Sequence, residues 1–275
     1  MHAAIVTQPG GQASNEDWAG VTPELAAVLD GVTVPDESTT GCSHGTAWYV
    51  RQLGSRLLTL ASDPGHTLPH ALADAIRQVA ALHPGCDLTQ PGTPSAAVAL
   101  LRAAGDVVEH LVLADTVLLL DTHRGLQVVT DDRLDDVAVA EHEAISRFPI
   151  GSPAHHHKVE RFVDAKYRAR NQAGGYWVAG VEPAAADQAL IGSIARQELR
   201  RVALLSDGAS CLVDRYGLAT WTELLDVLDQ RPGELIRRIR AAEATDPEGQ
   251  RWPRYKQSDD ATAVYLKRRP EPYIG

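Results

Sequence analysis

The chain is poor in the residues that would mark several functional classes. Its three cysteines, Cys42, Cys86 and Cys211, are an odd number with no C-x-x-C pair. That excludes a disulfide framework and a Cys-rich zinc site, and reads as small buried hydrophobes in a reducing compartment. No run approaches the ~20 apolar residues needed to cross a bilayer, and no basic-then-apolar leader is visible. A cytoplasmic protein is expected. Basic residues are also scarce: 26 Lys and Arg face 36 Asp and Glu, a formal charge of −10. Nucleic acid and anionic membrane are thereby excluded as partners, because both need cations to displace counterions or meet lipid headgroups. Two Phe and one Met leave a core that must be mostly aliphatic.

What is present is a folded globular composition, 44% hydrophobic and 23% charged, in 275 residues. Apolar runs predict strands at 3–7, 25–29, 95–102, 107–114, 116–121, 126–130, 176–179, 202–206 and 261–266. The four runs between 95 and 130 recur about every ten residues, which predicts an antiparallel meander. Helical spacing predicts helices over 42–61, 68–82, 137–148, 158–172, 220–228 and 234–245. Strands early, in the middle and at the end give one intertwined α+β domain over 1–266, with a loose tail at 267–275.

Two apolar strands end in the same dipeptide, Asp30-Gly31 and Asp207-Gly208, and Asp259-Asp260 precedes the last strand. Carboxylates carried to strand ends without Cys or His are the ligand set of a hard divalent ion such as Mg²⁺ or Mn²⁺. Asp-Gly alone is also an ordinary turn pair. Order and context decide between the two. The series S-N-E-D-W at 14–18, V-L-D-G at 28–31, T-P-S-A-A-V-A-L-L at 93–101, L-A-D-T-V-L-L-L at 113–120, L-L-S-D-G at 204–208 and S-D-D-A-T-A-V at 258–264 resembles the metal-dependent type 2C Ser/Thr protein phosphatases.

The resemblance implies an α-β-β-α sandwich of two antiparallel sheets flanked by helices. It also implies two Mn²⁺ or Mg²⁺ ions that lower the pKa of a bridging water, with a third, weaker ion. By position, Asp30 would bridge the ions and the Gly31 carbonyl would bind one. Asp207 and Asp259 complete the first ion, Glu16 holds the second with Asp17 in support, and Asp115 joins Asp207 at the third. Asp30, Asp207 and Asp259 are the implied catalytic set, and Asp260 is a supporting or capping residue. The implied substrate is a phosphorylated protein or a small-molecule phosphoester, and high Ala, Leu and Arg usage fits a GC-rich bacterial source.

The substrate shell departs from the family pattern. Gln12 stands where an Arg commonly grips the phosphate, and no Arg lies before Glu16. Val32 follows Asp30-Gly31 where animal members carry a proposed general acid, and flexible glycines are missing after it. G-D-S-R is A-D-T-V here, and Thr130-Asp131-Asp132-Arg133 matches T-x-D-H only in part. The retained ligands favour an active phosphatase, and the lost Arg favours a phospho-binding regulator or pseudophosphatase with little turnover. Other candidates near the substrate are Trp18, which walls the cleft or fills the core, and Arg147, a replacement phosphate cation. His44, in G-C-S-H-G, marks either an anion site at a helix start or a glycine-flanked helix entry. His155-His156-His157 reads as an exposed loop.

Overall fold

The computed structural model describes residues 2–32 and 40–268. In chain order the strands are β1 (His2–Gln8), β2 (Trp18–Val21) and β3 (Leu25–Gly31). Helices α1 (Thr46–Ala61) and α2 (Leu68–Ala80) follow. Next come β4 (Ala96–Ala104), β5 (Val107–Leu113), β6 (Val117–Thr122) and β7 (Gly125–Val129). Helices α3 (Val139–Ile145) and α4 (Pro153–Ala169) precede β8 (Leu190–Ala195) and β9 (Leu199–Leu205). The chain ends with α5 (Asp207–Ser210), α6 (Trp221–Gln230), α7 (Pro232–Thr245) and β10 (Ala261–Lys267).

Two five-stranded antiparallel sheets form, ordered β1-β10-β9-β6-β7 and β2-β3-β4-β5-β8. Strand alternation makes four layers from them. In β3, Ala26 and Val28 face the β1-β10-β9-β6-β7 sheet and meet Leu118, Leu204 and Val264. Leu25, Ala27 and Leu29 face outward onto α1 and α2, against Leu53, Leu57 and Leu72. Leu119, Ala203 and Leu205 of the other sheet face α6 and α7 in the same way. Both faces of the central strands are thus covered, which is why L-A-A-V-L and A-A-V-A-L-L are unbroken apolar runs where antiparallel strands open to solvent would alternate. Each fully buried Leu removes enough apolar surface to contribute ~2 kcal/mol. The result is the α-β-β-α sandwich the resemblance implies.

Four sequence expectations are corrected. The meander over 95–130 is split: β4 pairs with β5 in one sheet, and β6 pairs with β7 in the other. Ala114, at φ 64°, turns the chain across the sandwich between them, a left-handed conformation disfavoured for an L side chain. Residues 176–179 form isolated bridges rather than a strand, and the edge strand β8 was missed because L-I-G-S-I-A is short and glycine-interrupted. The three histidines belong to α4, not to a loop. Ser152 Oγ accepts from His155 N–H at 3.2 Å and Pro153 opens the helix. His155 is buried there. Lys267, expected in the tail, closes β10 and pairs with Asp229 at 2.7 Å. Residues 269–275 lie outside the described residues, as does the 33–39 segment after Val32.

Candidate metal centre

The carboxylates converge because the strands carrying them end at one edge of the sandwich. Asp30 closes β3, Asp115 starts the crossover to β6, Asp207 follows β9, and Asp259 precedes β10. The Asp207 backbone N–H donates to Asp30 Oδ2 at 2.9 Å, joining the two sheets. Asp30, Gly31, Asp115, Asp207 and Asp259 line one small pocket, continuous in its lining with a cleft of about 430 Å³.

The N-E-D segment is sewn to the same edge. Asp17 Oδ2 accepts from Ser206 Oγ at 2.8 Å, and Ser206 Oγ accepts from Thr262 N–H at 2.9 Å. Asp260 does not line the pocket; it accepts from Gly10 N–H at 2.7 Å and Glu16 N–H at 2.6 Å, capping the loop between β1 and β2. The Glu16 backbone packs on Gly31, where a Cβ would lie 2.4 Å from the Glu16 carbonyl oxygen. Gly208 is tighter still: a Cβ there would lie 2.0 Å from the Asp260 carbonyl oxygen and 3.0 Å from Asp259 Cβ. Gly208→Ala is therefore expected to cost about 3 kcal/mol in chemical denaturation and to weaken Mn²⁺ binding by displacing Asp259.

The electrostatics are those of an anionic cluster held together against its own repulsion. Burial, then Asp207, Asp17, Asp115 and Asp259, push the Asp30 carboxyl well above the ordinary range. Burial raises Asp17 to about 8, with Asp259 and Asp207 adding to it against the Ser206 hydrogen bond. Asp115 and Asp259 are each pushed up to about 6, by burial first and Asp207 second. Among the described residues, no three acids bring one ligand oxygen each within 4.8 Å of the others. The group is spread rather than collapsed onto one point.

Three cations supply countercharge, and sequence reasoning missed all of them. Lys256 pairs with Asp259, and Arg215 stands 3.6 Å from Asp207 Oδ2. Lys166, from α4, lines the pocket and the cleft. Only Lys256 carried a local signal, three residues before Asp259. Arg215 and Lys166 arrive by packing of distant segments.

The donor set fits hard divalent ions. It is all oxygen, it is partly dehydrated, and Asp207 Oδ1 is buried with no hydrogen-bond partner among the described residues. The remaining candidates fall elsewhere. Trp18 packs into the core between β3 and α1, its ring filling the space over Gly20 and Gly54, so it does not wall the cleft. Gln12 is exposed in the loop between β1 and β2, and Arg147 is exposed in the turn after α3. His44 stacks on Trp48 with ring centroids 4.3 Å apart and lies beside two cysteines.

No protein-family model matches the sequence, and no curated protein matches it. Solved structures do match in fold. The serine/threonine phosphatase PstP/Ppp of Mycobacterium tuberculosis aligns over 96% of this chain and 97% of its own, at 18% identity and a TM-score of 0.57. Phosphatase Stp1 of Staphylococcus aureus aligns over 98% and 95%, at 12% identity and a TM-score of 0.58. The catalytic domain of PstP in complex with two manganese ions aligns over 96% of both chains, at 18% identity and a TM-score of 0.54. The fold is that of the metal-dependent type 2C phosphatases. Among the described residues no helix is long and apolar enough to cross a membrane.

Proposed function

We propose that this chain hydrolyses phosphomonoesters in a reaction dependent on Mn²⁺ or Mg²⁺, with phosphoserine or phosphothreonine in a protein as the substrate class. The observation that carries the proposal is the convergence of Asp30, Asp115, Asp207 and Asp259 on one rim, with Asp207 Oδ1 buried and unpartnered among the described residues. Asp30 would serve both ions and the Gly31 carbonyl one of them, Asp207 and Asp259 would complete the first, Glu16 with Asp17 in support would hold the second, and Asp115 with Asp207 a weaker third. Bound there, divalent ions supply an activated water and neutralise the phosphoryl oxygens.

The chain's own residues do the rest. The β3 and β9 ends fix Asp30 and Asp207 relative to each other through the Asp207 N–H bond. Arg240 on α7 donates to the Asp259 carbonyl at 2.6 Å and holds that loop against the site. Lys256, Arg215 and Lys166 offer the phosphate the positive charge that Gln12 does not. Lys256→Gln is expected to raise KM for a phosphoester about tenfold. It should also tighten Mn²⁺ binding, because the cation no longer competes for Asp259; initial rates and metal titration read the two effects separately.

The test is Mn²⁺-dependent phosphate release from p-nitrophenyl phosphate, followed by phosphopeptide and small-phosphoester panels. Turnover that disappears in Asp30→Ala and Asp207→Ala is the expected result. One observation favours a second reading, a phospho-binding regulator with little turnover: Lys256 and Arg215 already sit on two of the carboxylates an ion needs. Metal demonstrably bound without turnover would select it.

A further inference from the structure

Outside the aspartate rim, the fold assembles a second donor cluster that the spacing of cysteines did not reveal. Cys42 and Cys86 are half-buried rather than core residues, and only Cys211 is buried as expected. The loop before α1 and the loop after α2 bring Cys42 Sγ, His44 Nδ1 and Cys86 Sγ within 4.8 Å of one another. We propose that Cys42, His44 and Cys86 form a thiolate-imidazole site for a soft divalent ion, Zn²⁺ in first place, distinct from the aspartate centre.

The distances are those of a tetrahedral ion's ligands. With Zn–S about 2.3 Å and Zn–N about 2.05 Å, a tetrahedral angle separates sulfur from nitrogen by about 3.6 Å. Both sulfurs lie 3.6 Å from His44 Nδ1. The His44 backbone N–H donates to Cys42 Sγ at 3.4 Å, which holds the sulfur beside the imidazole of the same turn. The two loops are joined independently of any ion. Asp87 N–H donates to the Gly41 carbonyl at 2.8 Å, and Gly41, at φ 63°, leaves no room for a Cβ against the Asp87 carbonyl. The donors are therefore pre-positioned by backbone, which lowers the ordering cost of binding.

A further polar group lies next to the three donors. His83 Nδ1 donates to the Val79 carbonyl at 2.9 Å, which leaves Nε2 as an acceptor. That Nε2 is buried and has no hydrogen-bond partner among the described residues, in a residue only 6% exposed. Its ring meets His44 edge-on, centroids 5.0 Å apart. Cys42, His44 and Cys86 thus stand at ligand spacing, and the His83 ring packs beside them without sharing that spacing. Softness separates this site from the other: thiolate and imidazole select Zn²⁺, whereas carboxylates select Mn²⁺ or Mg²⁺. An ion here would clamp the loop before α1 to the loop after α2, at Cys42, twelve residues beyond Asp30.

The experiment uses the reduced full-length chain titrated with Co²⁺ and then Zn²⁺. The expected result is a near-ultraviolet sulfur-to-cobalt charge-transfer band, bleached by Zn²⁺, at about one equivalent. Cys42→Ser and Cys86→Ser should each lower the band at least severalfold, and the double variant should abolish it while staying folded by circular dichroism. Asp30→Asn should leave the band intact, because carboxylates give no such transition. Absence of the band in reduced wild-type protein, or its loss in Asp30→Asn, would overturn the proposal. So would a Cys42–Cys86 disulfide as the only form of the two thiols, with no metal taken up after reduction.

Discussion

Replacing Asp30 by asparagine is expected to lower Mn²⁺-dependent phosphomonoesterase turnover about a thousandfold while making the metal-free protein more stable. The two effects come from the same carboxylate. An amide at this position can still accept the Asp207 N–H hydrogen bond, so the join between β3 and β9 survives. The charge does not survive, and with it goes the repulsion from Asp207, Asp17, Asp115 and Asp259 that raises Asp30. In water without metal that repulsion opposes folding; with metal it becomes attraction to the ions. Steady-state kinetics at saturating Mn²⁺ and thermal melts in chelator measure the two halves. Undiminished turnover would remove Asp30 from the reaction, and a lower melting temperature in chelator would contradict the electrostatic account.

A steep dependence of stability on pH in chelator is the second large expectation. Below the unfolded value near 3.8, the site acids are protonated in both states and cost nothing electrostatically. Above it the unfolded chain releases protons that the native site keeps, so stability falls as pH rises. The decline ends only when pH passes the folded values, about 6 for Asp115 and Asp259 and about 8 for Asp17. A fall in Tm on the order of 10 °C is expected across that window. Lys256 and Arg215 limit it, since they favour the charged form of Asp259. Mn²⁺ should flatten or reverse the slope, because ions bind the deprotonated site. Melts in chelator and in Mn²⁺ across the window check this; a flat profile in chelator would mean the carboxylates are not strained by one another.

Much of this architecture is legible because its signals are local. A strand buried on both faces must be apolar at every position, so residues 25–29 and 96–101 announce themselves. A capped helix such as α6, with Thr220 and Glu223 forming a reciprocal cap, announces its start. The failures share a different character. Whether β5 and β6 pair or part depends on one left-handed residue, Ala114, whose conformation no run of apolar residues encodes. Among the described residues β8 pairs with β5 alone, and its Gly192 makes room for the His110 ring, which fills the space a Cβ would need.

The order of Glu16, Asp17, Asp30, Asp115, Asp207 and Asp259 along the chain, each close to one end of an apolar strand, carried the resemblance that implied an acidic centre and the sandwich around it. That follows because strand ends inherit their position from the strands. What stands around that centre was decided by tertiary structure alone. Lys166, Arg215 and Lys256 reach the carboxylates from α4, from the turn after α5 and from the loop before β10, and Trp18 turns away into the core. Cys42 and Cys86 meet across 43 intervening residues. Charge compensation and ligand clustering depend on where separate segments pack, and that distance in space has no counterpart in spacing along the chain.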